Sequence, residues 1–128
     1  MFNKIPVIIL AGGLGTRLSE ETDKRPKPMV NIGNQPILWH LMSIYEAQGF
    51  NNFIIATGYK HEIIDDWITQ NYERNSWGFE CKVEAIYTGE STQTGGRVKK
   101  IIDATNSSQY MLTYGDGLAN INLSKLLE

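Results

Sequence analysis

At 128 residues the chain has room for one compact domain, with a core that needs no disulfide or metal staple. A hydrophobic share of 41% beside 20% charged residues belongs to a globular protein and excludes a disordered or fibrous one. Twelve basic against fourteen acidic residues give a net charge of -2, which excludes the broad basic footprint of a nucleic-acid binder, so any phosphate site must be local.

Pro6 to Leu10 is a short apolar, β-branched run broken by Ala11-Gly12-Gly13, the pattern of a buried strand feeding a glycine turn. The apolar stretch Val7 to Ala11 is too short to span a bilayer, and no basic leader precedes it. The expectation is a cytoplasmic protein with no membrane partner. Pro36 followed by Leu38, Leu41, Met42 and Tyr45 has helical spacing, with the proline in the first turn and Gly49 as a left-handed stop. Phe53 to Thr57 forms a second apolar strand, and Ile63, Ile64, Trp67 and Ile68 lie on one face of a second helix.

Phe79, Cys81, Val83 and Ala85 alternate with Glu80, Lys82 and Glu84, predicting a half-exposed strand, and Cys81 within it is expected to be a buried reduced thiol. Val98, Ile101 and Ile102 mark a third helix, and Tyr110 to Tyr114 a strand ending at Gly115-Asp116-Gly117. Strands alternating with helices predict an α/β fold, a Rossmann-like three-layer α/β/α arrangement with a mostly parallel sheet covered on both faces.

The segment Leu10-Ala11-Gly12-Gly13-Leu14-Gly15-Thr16-Arg17 puts three glycines and a guanidinium directly after a strand. Such backbone can approach phosphate oxygens, and Arg17 adds a planar donor fork; taken alone, the glycines are equally a tight turn. The loop lacks the Gly-Lys-Ser/Thr ending of a P-loop and the spacing of a dinucleotide fingerprint. In Arg25-Pro26-Lys27-Pro28 two prolines stiffen the backbone around Lys27, which is either aimed at a phosphate or a solvated surface charge. Asp116 stands at the carboxyl end of a parallel strand, where open α/β sheets bind ligands and where Mg2+ would need few carboxylates; the alternative is a turn aspartate between glycines. Thr94 to Arg97 is an N-cap, two glycines and an arginine whose charge opposes the helix dipole, for which a bound anion is one reason. His40 and His61 have no metal-ligand spacing and no hydrolase triad, and both are assigned to structure. Trp39, Trp67 and Trp77 are assigned to packing, Trp77 near the sheet edge.

Gly12, Gly13, Gly15, Arg17 and Leu18, followed by Pro26 and Lys27, match G-G-x-G-x-R-L then P-K, and the chain thereby resembles the sugar-1-phosphate nucleotidyltransferases. Leu18 to Thr22, Arg25 to Val30, Pro36 to His40, Gly58 to Lys60, Thr94 to Arg97 and Thr113 to Gly117 resemble its glucose-1-phosphate cytidylyltransferase branch, the likeness running from about Ile5 to the end. The resemblance implies a fold of the nucleotide-diphospho-sugar transferase type. It also implies that Leu10, Ala11, Gly12, Gly13 and Leu14 line the nucleotide, that Gly15, Thr16 and Arg17 hold its phosphates, and that Lys27 contacts phosphates at the reacting centre. Thr92 and Arg97 would meet the nucleotide, Gly115 would lie beside it, and Asp116 would bind Mg2+; Arg17, Lys27 and Asp116 form the implied catalytic set.

The implied reaction joins a nucleoside triphosphate, CTP by preference, to a sugar 1-phosphate, glucose 1-phosphate by preference, with loss of pyrophosphate. The setting is nucleotide-sugar biosynthesis of the kind that supplies lipopolysaccharide O-antigen, and the partners are the two substrates and other copies of the chain. The family is longer, so residues 1–128 are expected to be an NTP-binding domain incomplete on its C-terminal side, without the second metal-binding aspartate. Between Tyr72 and Trp77 the branch carries an extended segment where this chain has only Glu73-Arg74-Asn75-Ser76. The alternative is a non-catalytic nucleotide-binding module, or a half-enzyme whose partner supplies the sugar site.

Overall fold

The computed structural model describes residues 5–12, 26–89 and 93–115, and of Lys27 the backbone only. In chain order these residues form β1 (Val7–Ala11), a single 3-10 turn (Lys27–Met29), β2 (Asn31–Ile32), β3 (Gln35–Pro36) and α1 (Ile37–Glu46). There follow β4 (Asn52–Thr57), α2 (His61–Arg74), β5 (Lys82–Tyr87), α3 (Thr94–Ala104) and β6 (Met111–Tyr114).

Every residue of β1 is buried, as a strand with helices over both faces requires. It pairs in parallel with β4 on one side and β6 on the other, Ile8 standing opposite Ile54 and Leu112. β5 extends the sheet beyond β4, Phe53 opposite Val83, so the order among the described strands is β5-β4-β1-β6. β2 and β3 form a small separate antiparallel hairpin, turning at Gly33 with φ of 69°.

Two apolar layers hold the sheet. On one face Val7, Ile9, Phe53, Ile55 and Val83 pack with Leu38, Leu41 and Met42 of α1 and with Ile64 and Ile68 of α2. On the other, Ile8, Leu10, Ile54 and Ala56 pack with Ile101 of α3, flanked by Val98, Ile86 and Tyr110. The three-layer α/β/α arrangement is therefore as expected, with the second face the thinner. On that side Leu112, Tyr114 and Ile102 stay about half exposed.

Several boundaries differ from the sequence reading. Pro36 lies just outside α1 with an extended backbone (φ -68°, ψ 157°), its ring fixing φ where the hairpin hands over to the helix. Gly49 is left-handed, with φ of 96°, and closes the turn after α1 by donating to the Glu46 carbonyl at 2.9 Å. Phe79 and Cys81 precede β5 rather than belonging to it, although both face the apolar layer. Thr94 does not cap α3; Gln93 stands there without a side-chain cap bond, and Thr94 is the first helical residue. Ile102 lies on the exposed side of α3, and Arg97 and Ile101 are the residues buried from it.

The tryptophans pack as expected. Trp67 and Trp77 meet edge to face at 5.0 Å, and Trp39 stacks on Phe79 while its Nε1 donates to the Trp77 carbonyl at 2.9 Å. Glu73 and Arg74 continue α2, which ends at Asn75 in the left-handed conformation that asparagine tolerates, so Asn75 and Ser76 alone make the turn before Trp77.

Candidate functional site: the carboxyl ends of the parallel strands

From β1 the chain passes to β4 and β5 on one side, then returns across the sheet through α3 to β6 on the other. The order reverses between β1 and β6. At such a point the loops leaving neighbouring strands diverge to opposite faces and open a crevice at the carboxyl ends, where open α/β sheets take their ligands. Gly12 follows β1 and Gly115 follows β6, one on each side, and the Gly115 N–H donates to the Leu10 carbonyl at 2.9 Å. The Pro26–Pro28 segment joins them. Pro26 and Pro28 are buried, the Met29 N–H donates to the Pro26 carbonyl at 2.9 Å, and a Cβ on Gly115 would stand 3.3 Å from Pro28 Cγ. The motif segments at Gly12, Lys27 and Gly115, far apart in sequence, thus arrive at one end of the sheet.

The side chains of Leu10 and Ala11 are committed to the two opposite core layers. What these positions can offer a ligand is backbone. Gly13, Leu14, Gly15, Thr16, Arg17, Thr92 and Asp116 lie outside the described residues, as does the Lys27 side chain. Among the described residues no cluster of three or more His, Cys, Asp or Glu side chains could hold a metal ion.

Arg97 is a buried charged residue that the structure brings to this end, only 5% exposed. Its Nη2 donates to the Gly12 carbonyl at 3.0 Å. Its Nη1 donates to the Gly89 carbonyl and to Thr88 Oγ1, each at 2.7 Å, and reaches the Thr57 carbonyl at 3.4 Å. Thr88 Oγ1 in turn donates to the Thr57 carbonyl at 2.8 Å. Burial lowers the Arg97 pKa, with Tyr87 acting in the opposite sense, but guanidinium remains protonated in proteins. The carbonyl dipoles meet part of the cost of placing a cation in the first turn of α3. Glycine is required around it: a Cβ on Gly12 would collide with the guanidinium, and one on Gly58 would stand 2.6 Å from Nη1.

Thr57, Thr88, Gly89 and Lys100 are the participants that sequence reasoning missed, and Gly58 entered it only within the family-like segment Gly58 to Lys60. Lys100 Nζ donates to the Thr88 carbonyl at 3.0 Å, so α3 supplies two cations to one loop. The available signal was the dipeptide Thr-Gly recurring where two neighbouring strands end, Thr57-Gly58 and Thr88-Gly89. Thr57 Oγ1 is buried without a hydrogen-bond partner among the described residues. His40 meets the Ile32 carbonyl at 2.8 Å, and His61 pairs with Asp65 at 3.0 Å and packs on Tyr87, so both have structural contacts.

Comparison with known proteins agrees with this fold. The nucleotidyl transferase family model matches residues 6–128. A glucose-1-phosphate cytidylyltransferase of Salmonella typhimurium is 39% identical, over 94% of this chain and 54% of its own length. A protein of Bacillus subtilis named as a probable glucose-1-phosphate cytidylyltransferase is 41% identical, over 94% of this chain and 53% of its own. Among solved structures, HddC from Yersinia pseudotuberculosis complexed with GMP-PN superposes with a TM-score of 0.80 at 35% identity, covering 96% of this chain and 52% of that one. The chain spans about half the length of these relatives. With a sheet whose order reverses beside Gly12, and a family match over nearly its whole length, the chain belongs to the nucleotidyl transferase family.

Proposed function

We propose that this chain is the nucleotide-binding part of a sugar-1-phosphate nucleotidyltransferase that joins CTP to glucose 1-phosphate. The observation that carries the reading is the convergence of Gly12, the Pro26–Pro28 turn and Gly115 at the point where strand order reverses. The similarity to the Salmonella typhimurium cytidylyltransferase supports the choice of substrates.

In this reaction an oxygen of the sugar 1-phosphate attacks the α-phosphorus of the triphosphate, the bond to the bridging oxygen breaks, and pyrophosphate leaves. The chain need supply no covalent nucleophile. Its work is to hold the two phosphates in line and to balance negative charge that grows on the leaving group. Backbone N–H groups from Gly12 to Thr16 would cradle the triphosphate, with Arg17 and Lys27 adding positive charge; Thr92 and Gly115 would frame the nucleoside.

Mg2+ takes one or two carboxylates together with phosphate oxygens, and Asp116 is the carboxylate that the resemblance offers for it. Asp116 directly follows the anchored Gly115 and would hold the ion, which would neutralise part of the triphosphate charge. The setting we assign is cytoplasmic nucleotide-sugar synthesis feeding lipopolysaccharide O-antigen, by a homo-oligomer. No helix among the described residues is long and apolar enough to cross a membrane.

The test is pyrophosphate release by the purified chain given CTP, glucose 1-phosphate and Mg2+, with UTP and GTP in parallel. Release that requires both substrates and is fastest with CTP supports the reading. Release fastest with GTP, or none with any triphosphate although nucleotide binds, refutes the substrate assignment or the catalytic one respectively.

A further inference from the structure

The resemblance gives Arg97 a place against the nucleotide, yet its guanidinium is turned toward the protein's own backbone. Its two terminal nitrogens are divided between oxygens of segments that leave different strands. Nη2 holds Gly12 at the end of β1, while Nη1 holds Thr88 and Gly89 after β5 and reaches Thr57 at the end of β4. We infer that Arg97 is a positioning residue: it ties the ends of β1, β4 and β5 together and so sets the plane from which the glycine loop departs, before any nucleotide arrives.

Three observations carry this. The Gly12 carbonyl belongs to a planar peptide unit, so a hydrogen bond that holds the carbonyl also orients the peptide leading into the loop. The same carbonyl accepts the Tyr59 N–H at 3.4 Å, which joins the β4 exit to the β1 exit directly. Finally, the room for the side chain is made by residues lacking a Cβ. A Cβ on Gly58 would stand 2.6 Å from both Arg97 Nη1 and the Gly89 carbonyl and 2.8 Å from the Gly12 carbonyl, while one on Gly12 would strike the guanidinium itself. Three strand exits therefore close around one planar group. A lysine, with a single point charge on a flexible stem, could not span the Gly12 and Gly89 carbonyls at once.

The consequence for nucleotide binding rests on the function proposed above, whereas the tie itself does not. Amide hydrogen exchange, followed by NMR on the ligand-free chain, separates the two. In Arg97→Lys, exchange at the Tyr59 and Thr88 amides, which donate to the tied Gly12 and Thr57 carbonyls, should speed by about tenfold or more. Exchange at Ile9 and Ile55 should hold. CTP affinity, titrated with Mg2+, should fall by a similar factor. Gly58→Ala keeps the arginine but fills its space, and should reproduce both effects.

If Arg97→Lys loses CTP affinity while ligand-free exchange at Tyr59 and Thr88 is unchanged, the arginine is a ligand contact and the inference is overturned. Unchanged exchange and unchanged affinity would overturn it too. Failure of the parent chain to bind CTP would count against the proposed function alone, since the exchange comparison still decides whether the tie exists.

Discussion

The sheet face beneath α1 and α2 and the carboxyl ends of the strands are both buried, but they are built on different principles. The face is a layer of Val7, Ile9, Phe53, Ile55, Leu38, Met42 and Ile64, held by apolar area and shape. Each fully buried side chain of this kind contributes about 1.5–3 kcal/mol, and similar volumes are interchangeable at modest cost. The strand ends are instead a knot of carbonyls, two threonines, three glycines and one guanidinium, where an added Cβ at Gly12 or Gly58 has no room. Stability is spread over the first region. Geometry is concentrated in the second, so a small substitution there should disturb ligand binding more than folding.

The largest expected effect lies in the first region. Phe53 is fully buried on the sheet face, and Phe53→Ala should cost about 3–5 kcal/mol in urea denaturation. CTP affinity of the remaining folded molecules should not change; a parallel loss of affinity would break the distinction between the regions. Next is Thr88→Val, which keeps the shape but removes both the hydroxyl donor to the Thr57 carbonyl and an acceptor for Arg97. The cost should be about 1–3 kcal/mol, with a fall in CTP affinity that Phe53→Ala lacks.

Cys81 offers a pH probe of the face. Burial, and secondarily the charge of Glu46, raise its pKa from 9.0 to about 11. Above pH 9.0 the unfolded chain gives up the thiol proton that the folded chain still holds, so stability should fall between pH 9.0 and about 11. Cys81→Ser should flatten that part of the profile, and alkylation of the folded protein at pH 8 should be slow. The smallest effect belongs to Lys99→Ala, which breaks an exposed pair with Asp103 at 2.9 Å worth about 0.3–0.5 kcal/mol at most. Addition of 0.5 M salt, roughly, should erase even that difference.

The two regions also differ in how far they could be foreseen. β1, α1 and β4 were legible because unbroken apolar runs and i, i+4 spacing report burial directly. The hairpin of β2 and β3 was not, since two residues per strand cannot establish a period. Thr94 looked like a cap because threonine before a helix usually is one, but α3 begins a residue earlier at its expense. At the strand ends, Arg97 stood out because its charge opposes a helix dipole. Of its partners only Gly12 did, within the glycine motif; the others did not, because a carbonyl acceptor is not tied to a residue type and Thr57 and Thr88 meet only through the parallel pairing of β4 and β5.

The account turns on nucleotide binding at the point where strand order reverses, and isothermal titration of the folded chain with CTP and Mg2+ tests it most directly. The prediction is saturable binding with Kd below about 1 mM, lost in Gly13→Val while the helical circular dichroism persists. A folded chain that binds no nucleoside triphosphate at that concentration, or a Gly13→Val variant that binds CTP undiminished, would contradict it.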